Sequence, residues 1–187
     1  MQDLSVEDTN IKNLKVINPF YYEDKRGYFL KDFEKNMYRC LGIDDTDIAE
    51  CFETGSTKNV IRGLHFQTRN PQAKIVRVLS GCIYDVNVDL RKGSQTFGTW
   101  EGIELSTKNR KCLYIPKGCA HGFMSFFDNT VVLYKCIGKY ERETDTEILW
   151  NDPNIRVDWP LEGKAIVSER DQALMTFEEF VNKIGGL

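Results

Sequence analysis

The sequence predicts an all-β domain, a sandwich or jelly roll with one short helix near each end of the chain. Aromatic and β-branched residues recur in short runs, and clusters of Gly, Pro, Asn, Asp and Ser separate these runs. Helical periodicity is convincing in only two short segments, so a βαβ architecture is disfavoured. The chain has 187 residues, of which 41% are hydrophobic and 28% charged. These values are typical of a single globular domain, and we expect one domain spanning residues 1–187.

The clearest strand signal lies at residues 83–90. The even-numbered residues from Tyr84 to Leu90 are apolar, while Asp85, Asn87 and Asp89 alternate with them. This period of two predicts a half-buried strand, and we expect its Asp/Asn face to meet water or a cavity. The other predicted strands cover residues 60–67, 74–79, 98–105, 111–115 and 131–137.

Two segments have the periodicity of a helix, residues 34–41 and residues 177–183. Thr176 precedes the second segment, and Glu179 follows three residues later, which is the spacing of a capping box. Gly185 and Gly186 should end that helix.

The charge balance argues against a nucleic-acid-binding protein. Twenty-five Lys and Arg residues stand against 28 Asp and Glu residues, so the formal net charge is −3 and no basic stripe is available for a phosphate backbone. The first ten residues are acidic and polar, and no run of eighteen apolar residues occurs. We therefore expect a cytoplasmic protein without a membrane span.

The six cysteines show no metal-binding or redox spacing. They stand at positions 40, 51, 82, 112, 119 and 136, and no pair is spaced as C-x-x-C. We expect them to be reduced and mostly buried.

The chain has only two histidines, His65 and His121. A lone histidine is often a core residue whose ring nitrogens bind the backbone, and this interpretation remains open for both. Near His65 the sequence also holds Arg62 and Gly63. Arg62 and His65 would face opposite sides of a regular strand, but a bulge at Gly63 could turn both toward one cavity.

His121 belongs to the segment Pro116-x-Gly118-x-x-His121, which matches the second half of the cupin signature. In that signature a tight turn delivers a histidine into the mouth of a small barrel. A metal-binding cupin also needs two histidines spaced by one residue, but Gln67 stands two positions after His65. We therefore predict a cupin-type jelly roll, a double-stranded β-helix, without a metal site.

Without a metal, the available His, Tyr, Lys and Asp side chains favour proton-transfer chemistry. Tyr134 shares a strand face with Val132 and Cys136, and it could equally be a core tyrosine. Lys74 begins a predicted strand and could equally be a solvated strand end. The residues alone leave both questions open.

Many short motifs, in order along nearly the whole chain, resemble one known family. The sequence is similar to the dTDP-4-dehydrorhamnose 3,5-epimerases, which are cupin-fold sugar-nucleotide epimerases. The motifs are Asp24-Lys25-Arg26-Gly27-Tyr28-Phe29, residues 60–67, Asp89-Leu90-Arg91, Thr96-Phe97-Gly98, residues 116–123, Leu133-Tyr134-Lys135, Trp150-Asn151-Asp152-Pro153, Trp159-Pro160 and Ser168-x-x-Asp171.

The resemblance implies a role for each reactive residue. His65 is the implied general base with Asp171 as its acidic partner, Lys74 the group that stabilises the enolate, and Tyr134 the acid that returns a proton to the opposite face of the sugar. The C4 ketone of a 4-keto-6-deoxy sugar acidifies the hydrogens on C3 and C5, so no cofactor is required.

The resemblance also implies how substrate is bound and how the protein assembles. The implied substrate-binding residues are Arg26, Arg62, Gln67, His121, Tyr140 and Arg170. A homodimer with exchanged N-terminal strands is expected from the family.

Three positions depart from the family's usual residues. Glu50 and Phe52 stand where the family often has Gln and Asn, and Lys31 stands where it often has Glu. These changes alter the donors and acceptors offered to a ligand, and they raise the hypothesis of a nucleotide carrier other than dTDP, such as CDP or GDP.

Three other functions remain open at this level. The chain could invert only C3 or only C5 with the same residues. It could also be a non-catalytic cupin that binds a sugar nucleotide or a glycan. A metal-dependent cupin enzyme is disfavoured by the missing ligands.

Overall fold

The computed structural model describes residues 1–43, 46–168 and 174–187. Two antiparallel sheets face each other and enclose the central core, which is the predicted jelly-roll arrangement. The strands are β1 (Ser5–Asp8), β2 (Lys15–Asn18), β3 (Phe20–Asp24), β4 (Gly27–Lys31), β5 (Ile48–Ser56), β6 (Ile61–Gln67), β7 (Ala73–Ser80), β8 (Cys82–Asp89), β9 (Trp100–Ser106), β10 (Cys112–Ile115), β11 (Cys119–Ser125), β12 (Thr130–Ile137) and β13 (Asp145–Glu147). The helices are α1 (Lys35–Cys40) and α2 (Phe177–Lys183), and a 3-10 turn covers Arg142–Thr144.

The two large sheets divide the candidate site residues between them. One sheet has the order β1-β2-β10-β7-β12-β5, and the other has the order β13-β6-β11-β8-β9. Strands β3 and β4 form a separate two-stranded hairpin. Lys74 and Tyr134 therefore belong to the six-stranded sheet, whereas His65 and His121 belong to the five-stranded sheet.

Apolar side chains fill three layers. The central layer lies between the sheets and includes Val76, Phe123 and Val132. A second layer packs α1 against the outer face of the six-stranded sheet, and a third packs α2 against the outer face of the five-stranded sheet. Among the described residues, no helix has the length and apolar content needed to cross a membrane.

The predicted helices and strands are confirmed, with ends shifted by no more than two residues. The residues predicted as 74–79 and 98–105 form β7 and β9, and the capping box at Thr176 has both of its hydrogen bonds. All six cysteines are free, and four of them are buried. Strands β1 to β5, β11 and β13 were not predicted.

Strand β8 is buried on both faces, which corrects the expectation of a half-buried strand. Asp85, Asn87 and Asp89 are fully buried, which excludes water and leaves the interior of the fold as the environment of this face. The alternating apolar residues Val86 and Val88 instead pack beneath α2 on the outer side of the sheet. The polar face therefore points into the space between the sheets, toward the candidate site.

The predicted bulge at Gly63 is present and is built on a close contact between two glycines. His65 pairs with His121 and Arg62 pairs with Phe123, so β6 has one more residue than β11 over this stretch. Gly63 has φ +116°, and a Cβ atom there would lie 2.6 Å from the Gly122 Cα atom. With this bulge, Arg62 and His65 are both half-buried, although a regular strand would direct them to opposite sides.

We expect Gly63→Ala to lower the free energy of unfolding by about 2–4 kcal/mol, because the new Cβ atom both strains the backbone and collides with β11. Gly55→Ala on β5 is the matched control. Gly55 has no neighbour within 4 Å of an added Cβ atom, so its substitution should change stability by less than about 0.5 kcal/mol. Urea denaturation of both variants measures the difference, and equal stabilities would contradict this account of the bulge.

Candidate active site

A cavity of about 290 Å³ opens between the two sheets and brings several candidate residues together. Strands β5, β6, β7, β12 and β13 all contribute to its wall. The lining residues are Glu50, Phe52, His65, Gln72, Lys74, Cys136, Tyr140, Asp145 and Glu147.

His65 reaches this cavity from the bulged strand β6. Glu147 on β13 is its cross-strand partner, and the Glu147 Oε1 atom lies 3.5 Å from the His65 Nε2 atom. The Glu147 side chain is only 1% exposed, whereas that of His65 is 35% exposed. The imidazole is thus open to the cavity and stands beside a buried carboxylate.

Lys74 lies at the start of β7, where it pairs with Cys136 of β12. Burial lowers the pKa of Lys74, while Cys136, Asp145 and two further carboxylates oppose that shift. The interpretation as a solvated strand end is wrong, because the side chain is half-buried and lines the cavity.

Tyr134 lies in the central layer behind the cavity wall and is 6% exposed. Burial raises its pKa well above 10, Asp85 adds to this shift, and Arg62 opposes it. The phenol is therefore a proton donor throughout the neutral pH range. Its ring stacks on Phe52, with ring centroids 4.9 Å apart and planes 16° apart.

His121 occupies a buried polar network rather than the cavity lining. Its Nε2 atom lies 2.8 Å from Asp85 Oδ2, and Asn87 donates a hydrogen bond to Asp85 Oδ1. Burial lowers the pKa of His121, against an opposing effect of Asp85. The His121 ring meets the Tyr134 ring edge-on, with centroids 5.9 Å apart.

Of the expected substrate-binding residues Arg62, Gln67 and Tyr140, only Tyr140 lines the cavity. The Arg62 guanidinium donates to the Gly55 carbonyl and the Ser56 hydroxyl. Tyr140 lines the cavity, and its hydroxyl donates to Asp145. Gln67 is buried. Its amide nitrogen donates to the backbone carbonyls of residues 70 and 139, and its amide oxygen accepts from the backbone N–H of residue 141, so it links these segments.

Arg26 lies apart from this cavity, next to the turn of the β3–β4 hairpin. Its guanidinium is 80% exposed and forms an ion pair with Asp24. Arg170 and Asp171 lie outside the described residues, so their positions relative to His65 stay predictions.

Sequence reasoning missed Glu147. Its strand has only three residues and carries no alternating pattern, so the local sequence gives no strand signal. Pairing with β6 brings it beside His65, and that pairing is a long-range property of the sheet. Among the described residues, no group of three or more His, Cys, Asp or Glu side chains is arranged to hold a metal ion.

The arrangement is suited to moving protons on a polarised substrate. An imidazole can accept a proton, a half-buried ammonium can stabilise negative charge, and a phenol that is protonated at neutral pH can donate a proton. The imidazole and the phenol come from facing sheets. Groups able to transfer protons are therefore present on both sides of the space between the sheets.

Comparison with known proteins identifies close relatives of this chain. The model of the dTDP-4-dehydrorhamnose 3,5-epimerase family matches residues 8–179. The dTDP-4-dehydrorhamnose 3,5-epimerase of Methanothermobacter thermautotrophicus is 44% identical over 88% of this chain and 89% of its own length. The Escherichia coli enzyme of the same name is 37% identical over 95% of this chain and 97% of its own.

A solved structure shows the same fold. The dTDP-6-deoxy-D-glucose-3,5-epimerase of Legionella pneumophila, in complex with dTDP-4-keto-L-rhamnose, matches with a TM-score of 0.89. It is 39% identical, and the match covers 93% of each chain. The cupin-type jelly roll expected from the sequence is confirmed.

The lowered pKa of His121 predicts a dependence of stability on pH. The unfolded chain takes up a proton at this ring near pH 6.5, whereas the folded chain does so only at lower pH. The contribution of His121 is thus complete above pH 6.5 and is lost as pH falls below it, with a slope of at most about 1.4 kcal/mol per pH unit. Urea denaturation between pH 7.5 and 5.5 should show a shallower slope for His121→Asn than for the parent protein. An unchanged slope would show that folding does not lower the pKa of His121.

Proposed function

Because this chain belongs to the dTDP-4-dehydrorhamnose 3,5-epimerase family and is an isomerase, we propose that it inverts C3 and C5 of a dTDP-linked 4-keto-6-deoxy sugar. One observation supports this proposal above the others. His65 lines the cavity from one sheet, and Lys74 lines it from the facing sheet. Tyr134 belongs to the same sheet as Lys74 and lies behind the cavity wall. Inversion at a carbon next to a ketone needs a base and an acid on opposite sides of the sugar ring.

His65 is the proposed base. Its neutral imidazole removes the hydrogen from the carbon next to the C4 ketone and becomes an imidazolium. Glu147 is in place to stabilise that positive charge, since its carboxylate lies 3.5 Å from the ring nitrogen. Asp171 is proposed as a further partner on the basis of the family motif.

Lys74 is proposed to stabilise the enolate. As the C–H bond breaks, negative charge develops on the C4 oxygen, and a cation in a poorly hydrated cavity stabilises this charge strongly. A positioned base alone contributes only about a hundred- to ten-thousandfold in rate, so removal of a ketone α-proton requires such a second group.

Tyr134 is the proposed acid. Its hydroxyl proton passes to the carbon from the face opposite His65, and the enolate returns to the ketone with inverted configuration. The imidazolium then loses its proton to water, and the tyrosinate regains one from water. No net proton, electron or cofactor is consumed.

The carrier is proposed to be dTDP, as in the Legionella pneumophila complex. Two of the three positions that depart from the family's usual residues face the reacting groups. Phe52 contacts Tyr134, and Glu50 accepts a hydrogen bond from Gln72 in the same cavity. Both positions lie beside the proposed proton-transfer groups, and a comparison of dTDP-, CDP- and GDP-linked sugars tests the carrier.

We expect the wild-type protein to introduce deuterium at both C3 and C5 when a dTDP-linked 4-keto-6-deoxyglucose is incubated in heavy water and read by NMR. His65→Ala should abolish exchange at both carbons, because no base remains. Tyr134→Phe should reduce inversion by about a hundredfold or more while leaving some exchange.

Three results would change the assignment. Label at one carbon only would make the protein a 3-only or 5-only epimerase. Faster turnover of the CDP- or GDP-linked sugar would change the carrier. Full exchange in His65→Ala would remove His65 from the mechanism.

The assembly is proposed to be a homodimer in which the β3–β4 hairpin serves the partner's site. Neither strand of the hairpin pairs with a large sheet, and it exposes Tyr28 and Phe29 by 69% and 55%. Exposed aromatic residues of this kind are typical of an interaction surface. Arg26 lies beside them and would reach the diphosphate bound to the other subunit.

This arrangement predicts complementation between two defective variants. Arg26→Ala and His65→Ala should each be poorly active, but a 1:1 mixture after subunit exchange should recover about a quarter of the wild-type sites, since half of the dimers pair one intact hairpin with one intact cavity. Activity at low substrate concentration measures the recovery. A mixture no more active than Arg26→Ala alone would place Arg26 in the site of its own subunit.

A further inference from the structure

Phe52 contacts the proposed acid, and sequence reasoning gave it no role in proton transfer. It lies on β5, directly opposite Tyr134 of β12 in the sheet register. The two rings are stacked at 4.9 Å, and Phe52 is 44% exposed whereas Tyr134 is 6% exposed. Phe52 also lines the cavity. Its ring thus covers one face of the Tyr134 ring and is the more exposed of the two.

We propose that Phe52 is a positioning residue that holds the Tyr134 phenol in place and keeps water from it, and so sets how often the enolate is protonated with inversion. This inference rests on the proposed function, in which Tyr134 is the acid. Phe52 would thus influence the stereochemical outcome, although its side chain cannot donate a proton.

The packing around the phenol supports this role. Phe52 covers one face of the Tyr134 ring, and the His121 ring meets it edge-on at 5.9 Å and an interplanar angle of 70°. His121 is itself fixed by Asp85. The phenol is therefore held between one rigid neighbour and Phe52, and removal of Phe52 would free the ring on its exposed side.

The position of β5 in its sheet explains why the Phe52 side chain matters for holding Tyr134 in place. β5 is the last strand of its sheet, so only β12 pairs with it. No strand among the described residues covers its other edge. Within one chain, the side chain at position 52 therefore shields this part of the wall.

The enolate has two possible fates, and Phe52 should affect only one of them. The imidazolium of His65 can return a proton, or a deuteron taken up from heavy water, to the face from which it was removed, which gives exchange with retention. The phenol can instead donate to the other face, which gives exchange with inversion. Displacement of the phenol slows the second path and leaves proton removal by His65 unchanged.

The experiment measures both paths in heavy water on the same sample. For Phe52→Ala we expect total exchange at C3 and C5 to stay within about twofold of wild type, while inverted product per exchange event falls roughly tenfold or more. KM should change little, because the loss is in protonation rather than binding. Phe52→Tyr keeps an aromatic ring at this position and should restore the wild-type ratio.

Phe127→Ala is the matched control, because it removes a ring that is 59% exposed and is not among the residues lining the cavity. Its ratio of inversion to exchange should equal that of wild type. If Phe52→Ala does not fold, Phe52→Leu tests the same point, since leucine fills space without a stacking face.

The outcomes separate the inference from the proposed function. An unchanged ratio in Phe52→Ala, or in Phe52→Leu if that variant is needed, would overturn the role of Phe52 while leaving the epimerase intact. An equal loss of exchange and inversion would assign Phe52 to the general integrity of the site and also overturn the inference. Absence of exchange in the wild-type protein would instead overturn the proposed function.

Discussion

The close approach of β6 and β11 is the constraint on which the candidate site depends. Gly63 and Gly122 lie against each other across these strands, and a Cβ atom on either one would collide with backbone of the other strand. This contact permits the bulge in β6, and the bulge sets which side chains of that strand face the cavity. A side chain at either glycine would force the strands apart and move both histidines.

The interior of the jelly roll is apolar over most of its length and polar beside the cavity. Buried polar groups cost little free energy when they have partners, and two buried carboxylates illustrate this. Burial alone would raise the pKa of Asp89, but hydrogen bonds from Arg91, Ser94 and Thr96 hold it well below its usual value. Asp85 is hydrogen-bonded to His121 and Asn87.

Local sequence patterns were sufficient for the parts of the fold with strong periodicity. The alternation in β8, the turn before His121 and the capping box at Thr176 all depend on neighbouring residues, and each is confirmed. The burial of β8 on both faces was not predicted, because alternation tells which residues share a face but not what covers that face. Here α2 covers the apolar face, and that packing is decided by the far end of the chain.

The candidate site was predictable only in part for the same reason. His65, Lys74 and Tyr140 were identified with the help of the family resemblance, and the structure brings them to one cavity. Glu147 was missed because its three-residue strand has no signal of its own. The sequence singled out Phe52 as a departure from the family, but its contact with Tyr134 depends on the register between β5 and β12.

The placement of β5 at the edge of its sheet also bears on how this site can change over evolutionary time. Glu50 and Phe52 form part of the cavity wall, yet the strand that carries them is mostly half-buried or exposed. Substitutions on such a strand disturb little of the core, so they have small effects on folding. New substrate preferences can therefore arise at these two positions by single mutations. Substitutions at the glycine contact or in the polar interior would instead disturb the fold.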